Sequence, residues 1–95
     1  MSENLTQIIK QYATATPSID AVIEVRRHRQ HAVIRRRLCY GEFDRRIDQY
    51  VSKFQKKGIS AGKRVLMLLK PGIEMMCAFF ALIRMGAIPI LIDSG

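Results

Sequence analysis

The chain has 95 residues, 48% of them hydrophobic, and a formal net charge of +8 with a pI near 10.1. That length allows one domain at most, and so high an apolar fraction excludes a disordered chain. The longest unbroken apolar run, residues 75–83, is about half of the ~20 residues a bilayer span requires. The N-terminus lacks the basic and apolar regions of a secretory signal, so cytoplasm is the default compartment.

Leu5, Ile8, Ile9 and Tyr12 recur at i, i+3, i+4 and i+7 and predict a short amphipathic helix over residues 4–15, with Asn4 as its N-cap. Pro17-Ser18 closes it. Two strands follow, at 21–25 and 32–38, joined as a hairpin through a basic segment that lacks the Gly or Asn of a strong turn signal. Phe43, Ile47, Tyr50, Val51 and Phe54 then mark the apolar face of a longer helix, with Arg45, Arg46, Asp48, Gln49 and Lys53 opposite. Lys56-Lys57 suits the negative end of its dipole, and Gly58 reads as its C′ residue. Residues 59–62 form a turn.

The last third reads as strand, helix, strand: residues 64–70, then Pro71-Gly72, then 73–85, then Gly86, then 88–92. Apolar strands that do not alternate, with Pro and Gly at the joints, predict a parallel βαβ crossover, right-handed by the general rule. A helix of about 14 residues is roughly 21 Å long, close to the length of a six-residue strand at ~3.3 Å per residue. The helix is apolar on every side from Met75 to Ile83, with charges only at Glu74 and Arg84. Such a helix must be covered all round. Burial of a large apolar side chain contributes about 1.5–3 kcal/mol. Half of this helix left wet would forfeit on the order of 10 kcal/mol, comparable to a small domain's whole stability. The rest of the chain is expected to be too small a cover.

Few residues suggest chemistry. Cys39 and Cys77 form no CxxC pair, and with His28 and His31 they give no zinc spacing. Cys77 lies on the apolar helix, where a thiol acts as a small hydrophobe. Residues 58–64 superficially resemble a phosphate-binding P-loop, but the glycines are one residue too close. Arg64 also stands where Ser or Thr is required, and the segment precedes a strand. Gly72 alone makes no dinucleotide fingerprint; Pro71-Gly72 is a tight turn, with Glu74 favouring the helix dipole. No carboxylate orients His28 or His31, and Glu24, Glu42, Asp44, Asp48, Glu74 and Asp93 are scattered without acid–base spacing. Asp93-Ser94-Gly95 sits where open α/β sheets bind ligands, yet a plain turn accounts for it. Arg26, Arg27, Arg29, Arg35, Arg36 and Arg37 lie within twelve residues. Phosphate backbones and membrane surfaces are the two functional readings of such a run. Without aromatic interleaving or a nucleic-acid motif, it is expected to be a solvated, partly salt-bridged surface.

Four stretches in order resemble one family. Leu38-Cys39-Tyr40-Gly41-Glu42-Phe43 is similar to the "L-T-Y-x-E-L" that opens an early helix in acyl-adenylate-forming enzymes, which include acyl-CoA synthetases, luciferases and peptide-synthetase adenylation domains. Residues 58–65 resemble that family's "G-V-x-x-G-D-R-V", and Lys70-Pro71-Gly72-Ile73-Glu74 its "x-P-N-S-x-E". Residues 80–93 resemble "L-A-x-L-K-A-G-A-V-P-V-P-L-D", and the details are similar to the fatty-acyl ligase and olefin-pathway β-lactone synthetase branch. Cys39 for Thr, Gly41 for Ala, Lys63 for Asp and the arginine-rich hairpin are the departures.

The resemblance implies an α/β fold: a partial N-terminal subdomain, residues 1–95, of the adenylate-forming architecture. It implies an intact enzyme, such as a fatty acid–CoA ligase, that activates a carboxylic acid with ATP and Mg²⁺. The family's phosphate loop, ATP-contacting motif, ribose-binding Asp and catalytic Lys have no counterpart here. No catalytic, cofactor-binding or metal residue is therefore assigned, and the chain alone is expected to be inactive. Its expected partner is the missing remainder of the ligase domain, or a second copy through the apolar helix at 73–85. The alternative is a small basic module that binds nucleic acid or an acidic partner through Arg26 to Arg37.

Overall fold

The computed structural model of the protein describes residues 5–68, 70 and 72–92, apart from the side chains at 26–28, 33 and 35. The elements run α1 (Leu5–Ala15), β1 (Asp20–His28), β2 (His31–Cys39), α2 (Tyr40–Lys56), β3 (Arg64–Met67), α3 (Ile73–Arg84) and β4 (Ile88–Leu91). The strands β1 and β2 form an antiparallel hairpin; β3 and β4 pair in parallel, Arg64 with Ile88 through Met67 with Leu91. The architecture is thus the predicted helix, hairpin, helix and βαβ unit. Asn4, Pro71 and Asp93-Ser94-Gly95 lie outside the described residues.

Element boundaries shift for identifiable reasons. The hairpin is longer than expected because its strands continue to a two-residue loop, Arg29-Gln30, with His28 opposite His31. Arg29 takes a positive φ of 57° there, the role that Gly or Asn usually fills. Helix α2 begins three residues before Phe43. The Tyr40 and Gly41 N–H groups, orphaned at a helix start, donate to Ile19 O at 2.9 Å and Pro17 O at 3.0 Å. The Glu42 carboxylate turns back to accept from the Cys39 N–H at 3.3 Å and from its thiol at 3.1 Å. These bonds hold Glu42 below its ordinary value of 4.5. At the other end Gly58, at φ 91°, lets its own N–H reach Gln55 O and the Ile59 N–H reach Phe54 O, as the C′ reading requires.

Two apolar clusters share α3. Ile9, Leu38, Phe43, Ile47, Ile73, Cys77 and Ala81 join α1, β2 and α2 to one side of it. Met67, Ala78, Leu82 and Ala87 join the β3–β4 pair to the other. Phe80 meets Phe43 edge-on at 5.8 Å and Phe79 at 5.3 Å, which fills the flank between them. The expectation that α3 would be left partly wet is therefore corrected. Each of its apolar side chains is buried or half-buried, because helices flank it on one side and the strand pair on the other.

The uncovered apolar surface lies elsewhere. Leu66, Ile88 and Ile90 are exposed on the β3–β4 face away from α3. On α1, Leu5, Ile8 and Tyr12 are also exposed, so the predicted apolar stripe is buried only at Ile9, beside Thr6. Tyr12 instead stacks on Tyr40 at 5.2 Å.

Arg84 fixes how the three helices meet. Its guanidinium lies 2.8 Å from Asp44 Oδ1 and 2.9 Å from Asp48 Oδ1, and it donates to Thr6 O at 3.2 Å. The Arg84 and Asp44 side chains are only 13% and 15% exposed. Lys10 adds a bridge of 3.2 Å to Asp44. Asp44 Oδ1 is buried without an aligned hydrogen bond, so the Arg84 charge is its main compensation. Arg84→Ala leaves Asp44 Oδ1 unpaired, with Lys10 as the remaining cation, and is expected to destabilise the fold by about 1–3 kcal/mol. Arg84→Lys should recover part of the loss. Urea denaturation of the two variants measures both, and an Arg84→Ala midpoint equal to wild type would refute this role.

Candidate functional site

The C-terminal edge of parallel strands is where open α/β sheets place ligands. Here that edge adjoins the N-terminus of α3, and four elements send polar groups to it. Glu24 comes from β1, Arg36 from β2, Arg46 and Tyr50 from α2, and Glu74 from the first turn of α3 itself. Glu24 Oε1 accepts the Ile73 N–H at 2.9 Å. Glu74 Oε2 accepts from Arg46 at 2.6 Å and from Arg36 at 3.2 Å, while Oε1 accepts the Tyr50 hydroxyl at 2.7 Å.

Gly72 leaves room for the Glu24 carboxylate. Its φ of 156° suits glycine, and a Cβ there would sit 2.8 Å from Glu24 Oε1. The Ile73 N–H is one of the donors that a helix start leaves unsatisfied and that could attract an anion. Glu24 already occupies that position.

The electrostatics suit a clamp better than a catalyst. The Tyr50 hydroxyl, and the Arg36 and Arg46 guanidiniums, hold the Glu74 carboxyl below its ordinary value of 4.5. Burial, then the Glu74 hydrogen bond, pushes the Tyr50 hydroxyl up to about 12. Burial and the Glu74 charge push the Cys77 thiol up to about 11. Near neutrality Glu74 is therefore ionised and Tyr50 protonated, the states in which the phenol donates to the carboxylate. Among the described residues no group of three or more His, Cys, Asp or Glu side chains could hold a metal ion.

The sequence-level candidates fall as follows. Residues 58–64 form a turn, with the Gly62 N–H on Gly86 O at 2.9 Å and the Lys63 N–H on Ser60 O at 3.2 Å, not a phosphate loop. The arginine run is divided. Arg36 points inward to Glu74, Arg37 reaches Asp20 at 3.5 Å, and Arg29 is exposed at the hairpin tip. Spacing could not reveal that Glu24 and Glu74 converge on one helix end, since they lie fifty residues apart. The one available signal was Glu74 in a first helical turn.

Two outcomes follow. Glu74 has a lowered folded pKa, so its contribution to stability is present above 4.5 and is lost as pH falls through the folded value. Glu74→Gln should therefore flatten the acid limb of a Tm-versus-pH curve; an unchanged limb would show that Glu74 contributes nothing. In native protein at pH 8, iodoacetamide should modify Cys39 and spare Cys77, which is fully buried and protonated there. Mass spectrometry of the adducts distinguishes them, and rapid native labelling of Cys77 would overturn the packing described for α3.

Known proteins share both the sequence and the fold. The family model described as "AMP-binding enzyme" matches residues 10–95. Salicyl-AMP ligase / salicyl-S-ArCP synthetase of Mycobacterium tuberculosis is 43% identical over 58 residues, which is 61% of this chain and 10% of that protein. Olefin beta-lactone synthetase of Xanthomonas campestris is 36% identical over 58 residues, with the same shares covered. The chain thus spans about a tenth of the length of these curated relatives. Among solved structures, the N-terminal domain of FACL13 from Mycobacterium tuberculosis superposes with a TM-score of 0.79 at 24% identity, covering 97% of this chain and 22% of that one. Fatty acyl-adenylate ligase from L. pneumophila gives 0.77 at 22%, covering 93% and 15%. The fold is that of the N-terminal subdomain of adenylate-forming enzymes, and the chain belongs to the AMP-binding enzyme family.

Proposed function

We propose that this chain provides the opening scaffold of an ATP-dependent ligase that activates a carboxylic acid as its acyl-adenylate, of the fatty-acyl class, and that it is inactive alone. The match of the AMP-binding family across residues 10–95 carries this reading. The fatty-acyl assignment draws support from the relatives named olefin beta-lactone synthetase and the structural neighbours named fatty acyl-adenylate ligase and fatty acyl CoA synthetase. In this reading ATP and Mg²⁺ are bound by the remainder of the ligase domain, which is also the chain's partner.

The geometry supports a scaffold role. At the α3 N-terminus Glu24 accepts a backbone donor, and Glu74 draws together Tyr50, Arg36 and Arg46. Parallel sheets are normally covered on both faces, and two strands are too few to stand alone. The exposed Leu66, Ile88 and Ile90 side chains match a sheet that continues into a larger domain. At about 1.5–3 kcal/mol each, covering three such side chains is worth on the order of 5 kcal/mol.

Carboxylate-dependent ATP–pyrophosphate exchange tests the proposal in two arms. The chain alone should show no exchange with long-chain fatty acids. A chimera carrying this chain in place of the matching segment of the Xanthomonas campestris olefin beta-lactone synthetase should retain measurable exchange. Activity of the chain alone, or a soluble, folded but inactive chimera, would overturn it.

A further inference from the structure

We propose that the outward face of the β1–β2 hairpin is a docking surface for an anionic lipid bilayer. It is a patch separate from the α3 clamp, and its argument does not rest on the ligase reading. The hairpin has two unlike faces. Inward, Val22 and Leu38 pack into the core while Glu24 and Arg36 turn to α3. Outward, Ile23, Val25 and Ile34 are 48%, 54% and 49% exposed, and Val25 stands directly across from Ile34 in the register. The irregularity between Glu24 and Val25 brings Ile34, not Arg35, opposite Val25 and so keeps aliphatic side chains together.

In sequence, residues 20–39 carry six arginines against two acidic residues, Asp20 and Glu24. Arg36 turns inward to Glu74 and Arg37 meets Asp20, while Arg29 is exposed at the tip. The charge complement is therefore anionic. The apolar strip decides which anionic surface. A nucleic-acid backbone is met by cations with polar or aromatic neighbours, and β-branched aliphatics give it nothing to bind. A bilayer interface takes both at once, because aliphatic side chains enter the boundary beneath the headgroups while arginines remain among the lipid phosphates and carboxylates.

Vesicle co-sedimentation of the 95-residue chain tests this, with circular dichroism to verify the fold of each variant. Binding is expected to vesicles of phosphatidylcholine with 30 mol% phosphatidylserine, a composition set by the experiment, and not to pure phosphatidylcholine. Arg29→Glu should weaken that binding by at least about fivefold, the factor for one lost cation near an anionic surface. Ile23→Ser with Val25→Ser keeps the charge and should weaken it as well. Leu66→Asn with Ile90→Asn alters the exposed β3–β4 face and should leave binding unchanged. Equal binding to neutral vesicles, or no binding to anionic ones, overturns the proposal. So does loss confined to the Leu66/Ile90 variant, which would place the contact on β3–β4. A duplex oligonucleotide that binds more tightly than the vesicles, with no dependence on Ile23 and Val25, also refutes it in favour of nucleic acid.

Discussion

The structure depends on covering α3. A helix that is apolar from Met75 to Ile83 has no face that water can take, so each neighbouring element is placed by the need to surround it. Helices α1 and α2 and the hairpin cover one side; β3 and β4 cover the other. The small side chains Cys77, Ala78 and Ala81 matter as much as the large ones, because they let neighbouring elements approach closely enough to exclude solvent. The result moves the exposure problem without abolishing it. The second face of the strand pair remains open at Leu66, Ile88 and Ile90.

Polar groups secure both ends of the same helix. At its start, Glu24 satisfies a backbone donor and Glu74 gathers two guanidiniums and a phenol. At its end, Arg84 reaches across to two aspartates of α2 and a carbonyl of α1. Apolar packing is tolerant of rotation and sliding, whereas directed hydrogen bonds are not. These two clusters therefore set the register in which the helices dock.

Membership in the AMP-binding family gives this arrangement its context. Among the described residues Glu24 and Glu74 lie at the start of α3, Glu42 caps α2, and Asp44 and Asp48 face Arg84. Fold likeness to fatty acyl-adenylate ligases speaks to architecture, and the chemistry of a ligase is carried by particular residues.

Local patterning in the sequence determined much of this. The helical periodicities of α1 and α2, the breakers at Gly58, Gly72 and Gly86, and the apolar run of α3 were enough to predict the element order and the parallel crossover. They also sufficed to reject a phosphate loop at residues 58–64. These features depend on neighbours within a few residues, which sequence displays directly. What satisfies the first turn of α2 was not legible, because its donors go to Ile19 and Pro17, twenty-one and twenty-four residues earlier. Nor was the face of α1, where the apolar stripe predicted burial of Leu5 and Ile8, while the backbone carbonyl of Thr6 was drawn in to meet Arg84. Only the tertiary structure decided that the crossover's helix is covered, that its open surface lies on the strands, and that Glu24 closes its one anion-attracting end. Each depends on groups distant in sequence arriving at one place, and only folding brings them there.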